Sequence, residues 1–145
     1  MFADPSSSKC VDSCPASNSS FADPTTQKCV SRCPSGYYAD IRKRSCISNC
    51  SNIYYADGQT NPPACVSTCF SGTFADPLLF KCGTSCSSNY YSYSPNSTCL
   101  QFCPFGYFAD SSTKSCVTQC IYSPNFYADK LTHACLSICT NNQFA

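Results

Sequence analysis

Glutamate and tryptophan are absent from this chain, histidine occurs once, and only 12% of the residues are charged. Each shortage removes a class of function. A net charge of +1 leaves no basic stripe of the kind that neutralises a phosphate backbone, so nucleic-acid binding is not expected. No stretch approaches the ~20 apolar residues of a membrane-spanning helix. Large aliphatic side chains are few, so a conventional hydrophobic core is not expected, and cross-links must replace much of the missing burial. A lone histidine, His133, set in a turn-like stretch beside no candidate nucleophile, gives no catalytic set; the aspartates recur singly and no pair is placed for acid–base work. The chain reads as non-enzymatic, with no cofactor.

What the chain has instead is cysteine: 16 in 145 residues, about 11%, above the roughly 8–10% that marks a disulfide scaffold. They fall into eight Cys-x-x-x-Cys pairs: 10/14, 29/33, 46/50, 65/69, 82/86, 99/103, 116/120 and 135/139. First cysteines recur at steps of 19, 17, 19, 17, 17, 17 and 19 residues. A fixed period this short predicts a repeat array in which each unit meets its neighbours. We read 1–145 as one continuous array, with units starting near Cys10, Cys29, Cys46, Cys65, Cys82, Cys99, Cys116 and Cys135. Such cysteine density persists as disulfides in oxidising spaces, which places the chain outside the cell or on its surface. The Phe-Ala-Asp-Pro that follows Met1 has neither the charged start nor the apolar run expected of a secretory leader. The chain starts and stops in the same phase of the repeat, which leads us to expect a segment of a longer array.

Within each period an aromatic-Ala-Asp triplet recurs: Phe2, Phe21, Tyr38, Tyr55, Phe74, Phe108 and Tyr127 begin the seven copies, and Tyr91-Ser92-Tyr93 fills the slot in the remaining unit. The aromatic and the aspartate sit two apart, so an extended strand puts them on one face and Ala on the other. Glycines 36, 72 and 106 stand just upstream and suit a tight turn into that strand. Turn residues follow the Asp, as in Pro24-Thr25-Thr26, Ser111-Ser112-Thr113 and Ile41-Arg42-Lys43, and the next cysteine comes six positions later except after Asp57, where Gly58 and Pro62-Pro63 mark a lengthened turn. Each unit therefore predicts a hairpin of cysteine, short strand, turn, short strand, cysteine. Recurrent Pro, Gly, Ser and Asn exclude continuous helix. The expected fold is small and disulfide-rich, mostly β-hairpin and coil: an elongated, solenoid-like or rod-like stack of eight ~17–19-residue repeats with little hydrophobic core.

Seven of the eight aspartates lie in the triplet. One role is to accept backbone N–H bonds and close the turn; the other is a ladder of carboxylates for Ca²⁺, which one carboxylate per unit serves poorly. The aromatics read as packing against the neighbouring disulfide and the next aromatic, or as a carbohydrate- or peptide-binding strip. The run Arg42-Lys43-Arg44 reads as a solvated turn, against a weaker polyanion contact.

For the cysteines, zinc favours Cys-x2-Cys spacing with added histidine, and a redox dithiol would occur once, not eight times. Structural disulfides remain, and no metal is expected. The pairing we expect joins the second cysteine of one pair to the first of the next, closing each hairpin: Cys14–Cys29, Cys33–Cys46, Cys50–Cys65, Cys69–Cys82, Cys86–Cys99, Cys103–Cys116 and Cys120–Cys135. Cys10 and Cys139 are then left for neighbouring units. A ladder of alternate cysteines, or closure of each Cys-x-x-x-Cys on itself, stays open. Sequons at Asn18, Asn49 and Asn96 offer N-glycan acceptors, and the Ser- and Thr-rich turns offer O-glycan sites or act as turn formers.

Cys33-Pro34-Ser35-Gly36-Tyr37-Tyr38-Ala39-Asp40 and Cys103-Pro104-Phe105-Gly106-Tyr107-Phe108-Ala109-Asp110 resemble furin-like repeats. These belong to the growth-factor-receptor cysteine-rich family and occur in long arrays in ciliate surface and secreted proteins. The start is also similar to modules of tumour-necrosis-factor-receptor type. The resemblance implies rod-like stacks of small disulfide-closed modules outside the cell. Two functions follow as expectations. One is an extracellular structural protein, a disulfide-stapled, glycosylated rod or fibril in a surface coat or filament, whose partners are neighbouring repeats, copies of itself and glycans. The alternative is a receptor ectodomain or ligand-binding module with its locus at Tyr90–Tyr93.

Overall fold

The computed structural model describes residues 1–51, 53–121 and 126–138. Among these the chain forms sixteen strands of three residues each and no α-helix. In chain order they are β1 (Phe2–Asp4), β2 (Lys9–Val11), β3 (Phe21–Asp23), β4 (Lys28–Val30), β5 (Tyr38–Asp40), β6 (Ser45–Ile47), β7 (Tyr55–Asp57), β8 (Ala64–Val66), β9 (Phe74–Asp76), β10 (Lys81–Gly83), β11 (Tyr91–Tyr93), β12 (Thr98–Leu100), β13 (Phe108–Asp110), β14 (Ser115–Val117), β15 (Tyr127–Asp129) and β16 (Ala134–Leu136). The chain divides into two compact units: Met1–Phe70 with Phe80–Cys82, and Ser71–Leu79 with the chain from Gly83 onward.

In the first unit β1–β2, β3–β4, β5–β6 and β7–β8 are antiparallel hairpins. They follow one another along the sheet in the order β10-β7-β8-β5-β6-β3-β4-β1-β2. In the second unit β11–β12, β13–β14 and β15–β16 do the same, in the order β15-β16-β13-β14-β11-β12-β9. The predicted hairpin-and-coil, disulfide-rich class is the fold observed. Its strands are the predicted triplets and the residues flanking each first cysteine.

The register explains the alanine. In each of these hairpins the middle residue of the triplet lies directly opposite the cysteine, as in Ala22↔Cys29, Ala39↔Cys46 and Ser92↔Cys99. Opposed residues share a face with Cβ atoms about 5 Å apart, so only a small side chain leaves room for a half-cystine. The aromatic faces the residue after the cysteine: Phe21↔Val30, Tyr38↔Ile47, Tyr91↔Leu100, Phe108↔Val117. Aromatic–aliphatic cross-strand pairs of this kind contribute roughly 0.2–1 kcal/mol each.

Between hairpins the pairing is parallel and offset by one residue. Ala22 lies beside Ser45, not Cys46, and Ala39 beside Ala64, not Cys65. Because neighbouring side chains on a strand point to opposite faces, the offset hands each disulfide to the aromatic of the preceding hairpin. The buried clusters follow that rule: Phe2 packs with Cys14 and Cys29, Phe21 with Cys33 and Cys46, and Tyr38 with Cys50 and Cys65. The thin core of the first unit is thus ring on disulfide, in place of ring on ring.

One backbone device makes these junctions. The fourth residue after the Asp slot adopts a left-handed conformation although none is glycine: Ser8, Gln27, Arg44, Phe80, Ser97, Lys114 and His133, with φ between 48° and 55°. Its carbonyl is turned out to accept the amide of the preceding hairpin's middle residue, as in Ala3 N–H to Gln27, Ala22 to Arg44, Ala56 to Phe80 and Ala109 to His133, each at 2.8 Å. In the lengthened turn Pro63 supplies that carbonyl to Ala39 at 2.9 Å. A left-handed non-glycine residue costs roughly 1–2 kcal/mol, partly offset by the entropy a glycine would lose. Gln27→Gly is therefore expected to raise stability by about 0.5–1 kcal/mol, and Gln27→Val to lower it, in urea unfolding at unchanged m-value.

Candidate functional site

Seven disulfides close the repeats: Cys14–Cys29, Cys33–Cys46, Cys50–Cys65, Cys69–Cys82, Cys86–Cys99, Cys103–Cys116 and Cys120–Cys135, with Cα–Cα distances of 5.5 to 5.7 Å. Each spans 13 or 15 residues and embraces one triplet and its turn. The six Cys-x-x-x-Cys segments from 29/33 to 116/120 therefore each join two consecutive closed loops. Cys10 is exposed and its thiol is free. Cys139 lies outside the described residues.

The seven triplet aspartates are turn locks. Each is buried, and each accepts the amide two residues on: Ser6 at 3.0 Å, Thr25 at 2.9 Å, Arg42 at 3.0 Å, Gln59 at 2.8 Å, Leu78 at 2.9 Å, Ser112 at 2.8 Å and Leu131 at 2.9 Å. Where the turn carries hydroxyls, they converge on the same carboxylate. Thr25 and Thr26 reach Asp23 at 2.7 and 2.6 Å, and Ser112 and Thr113 reach Asp110 at 2.6 and 2.9 Å. At Asp4 the hydroxyl bonds from Ser7 and Ser6 hold the carboxyl below its ordinary pKa. At Asp23, Asp76 and Asp110 burial pushes the pKa up, and hydroxyl and amide donors more than offset it. Aspartate fits where glutamate would not, because only the shorter side chain reaches the amide two positions ahead.

The lengthened turn departs from this. Thr60 spends its hydroxyl on the Asp57 carbonyl at 2.9 Å, and the second carboxylate oxygen of Asp57 is buried without a hydrogen-bond partner. Among the described residues no cluster of three or more His, Cys, Asp or Glu is placed to hold a metal ion, and the carboxylates are spent on turn donors.

Arg42-Lys43-Arg44, read from sequence as a solvated turn, is split between two neighbours. The Arg42 guanidinium lies 3.9 Å from the Tyr54 ring centre, and that of Arg44 lies 5.0 Å from that of Phe21. Arg44 also donates to the Pro15 carbonyl at 2.9 Å. The β5–β6 hairpin thus grips the hairpins on both sides. His133 is likewise structural: its ring stacks on Phe108 and is tilted against Phe105, both at 6.4 Å.

The three sequons are exposed at their asparagines. Asn18 ends a 3-10 turn, Ala16–Asn18, and Asn96 ends another, Ser94–Asn96. After Asn18 the Ser20 hydroxyl is buried and donates to the Pro15 carbonyl at 3.1 Å. After Asn49 comes Cys50, buried in its bridge to Cys65. At the broken triplet, Tyr93 fills the aspartate slot and packs edge-on against Tyr107, ring centres 4.9 Å apart.

The first unit carries an apolar groove of about 360 Å³ between Phe21, Ile41, Pro62 and Val66, with no ionisable side chain in its lining. The second has a hollow of about 210 Å³ beside Tyr91, Phe102 and His133. Within each unit, hairpin after hairpin is closed by a disulfide and hydrogen-bonded to the next. The chain is a cysteine-rich repeat array, and no protein family, curated protein or solved structure matches it.

Proposed function

We propose that this chain is an extracellular, non-catalytic structural element: a disulfide-stapled, glycosylated rod or fibril that builds a surface coat or filament. The observation that carries this reading is the repetition itself. The same hairpin and interhairpin hydrogen bond recur, and in seven of the hairpins the triplet carboxylate is bonded to the amide of its own turn. Seven disulfides suit an oxidising space, and no described helix is long and apolar enough to cross a membrane. Its partners are further repeats of the same kind and the glycans carried at Asn18, Asn96 and Asn49. Within this reading the Cys-Pro-x-Gly-Tyr starts align it with furin-like arrays of surface and secreted proteins.

The receptor alternative drew on the exceptional tyrosines. Tyr93 is half-buried against Tyr107, which favours packing over ligand display. Negative-stain images of protein secreted from eukaryotic cells test the proposal. Elongated particles with an axial repeat of one or two hairpins, and a mass that falls on enzymatic deglycosylation, are expected. A compact, monodisperse globule would overturn the rod, and an unchanged mass would remove the glycans.

A further inference from the structure

We propose that Tyr93 and Tyr107 form a built site for oxidative cross-linking, in which a haem peroxidase with hydrogen peroxide joins the two rings as dityrosine. Tyr93 closes β11 in the position that carries aspartate in the other hairpins, and Tyr107 precedes β13 of the next hairpin. The same spacing of fourteen residues separates Asp23 from Tyr37, Asp40 from Tyr54 and Asp76 from Tyr90. Among the described residues, the tyrosine–tyrosine ring contact falls where the aspartate is replaced. The ring centres are 4.9 Å apart with planes at 85°, so the two rings are in direct contact and coupling would ask them to turn their ortho carbons toward each other. Both rings are partly exposed.

Burial, and then the Tyr107 phenol beside it, raise the pKa of the Tyr93 hydroxyl, so oxidation must remove its proton together with the electron. Each phenol gives up one electron and one proton, and the peroxide takes both pairs to become two waters. The two phenoxyl radicals couple by a carbon–carbon bond between ortho carbons. Each ring then shifts its ortho hydrogen to oxygen and regains aromaticity. The protein loses two hydrogen atoms in total. The bond would serve the hairpin that needs it, because β11–β12 is without the carboxylate that locks the other turns. Unlike the surrounding disulfides, it would survive thiol reduction.

The test is treatment of the intact chain with peroxidase and hydrogen peroxide, followed by full reduction, protease digestion and mass spectrometry. A single cross-linked peptide pair containing Tyr93 and Tyr107 is expected, with dityrosine fluorescence in the monomer band. Both signals are expected to be lost in Tyr93→Phe and in Tyr107→Phe, each of which keeps the ring packing; disulfide mapping of the variants checks that they fold. Fluorescence confined to intermolecular dimers through exposed tyrosines such as Tyr127, its persistence in Tyr93→Phe, or its absence from the wild type would overturn the proposal. None of these outcomes bears on the rod, which is tested by imaging.

Discussion

Replacing Cys33 and Cys46 together with alanine is expected to cost about 3–5 kcal/mol, the largest effect of any paired substitution in the first unit. The bridge closes a loop of 13 residues, and loop-closure entropy for a ring of this size is worth roughly 3 kcal/mol. The remainder is packing. Cys46 is 1% exposed and Cys33 is 6% exposed, and both touch Phe21 of the preceding hairpin and Ala39 of their own. Alanines would leave those neighbours, and Val30 and Tyr37 packed against them, facing a void. Hydrogen exchange should show the loss as local, with protection falling in β3 through β6, because each hairpin is held chiefly by its two neighbours. Uniform loss of protection across every hairpin would show a single cooperative unit instead. Cys10→Ser, by contrast, removes an exposed free thiol and should leave stability within about 0.5 kcal/mol of the parent.

Period and spacing carried most of this fold into the sequence. A cysteine six residues after nearly every triplet aspartate is the length of a short turn plus a strand start, so hairpins and their phase are readable without coordinates. The aspartate's part as a turn lock was also readable, because its side chain can reach only a few local amides, and after Asp4, Asp23 and Asp110 the residues two and three on are Ser or Thr. One signal stood in the sequence unread. Seven of the eight first cysteines are followed by Val, Ile or Leu, and these are the residues that face the triplet aromatic across the hairpin.

Other features had no trace in the residues. The left-handed position is filled by Ser, Gln, Arg, Phe, Lys and His, types that share no conformational preference; the turn geometry imposes it. The one-residue parallel offset is a property of neighbouring hairpins, and it decides which disulfide each aromatic covers. The same blindness applies to Arg42 and Arg44. A run of three cations looks like a solvated surface until the partners Tyr54 and Phe21, each at least a dozen residues away in the chain, are placed beneath them. Local pattern thus specified each module, and the joints between modules required three dimensions.

Those joints depend on turns held in shape by ionised carboxylates, so acid should loosen the array. The folded pKa of Asp4, Asp23, Asp76 and Asp110 lies below the ordinary value, which means the unfolded chain binds more protons in acid. Their contribution is complete above about pH 4, the ordinary range of an aspartate, and is lost as pH falls through the lowered folded values. Asp23 is the best place to measure it, being 2% exposed with three donors from Thr25 and Thr26. Asp23→Ala removes charge-assisted hydrogen bonds worth roughly 1.5–3 kcal/mol each in buried settings and about half that at a turn open to water. A loss of about 2–3 kcal/mol at pH 7 is expected. Asp23→Asn keeps one acceptor for the Thr25 amide but cannot ionise, and sets an NH₂ against hydroxyls that now must accept; about 1–2 kcal/mol is expected. The decisive feature is the pH dependence. Urea unfolding of parent and Asp23→Asn between pH 7 and pH 2 should converge as acid removes the parent's advantage, whereas a gap that stays constant would show that the Asp23 charge contributes nothing to the turn.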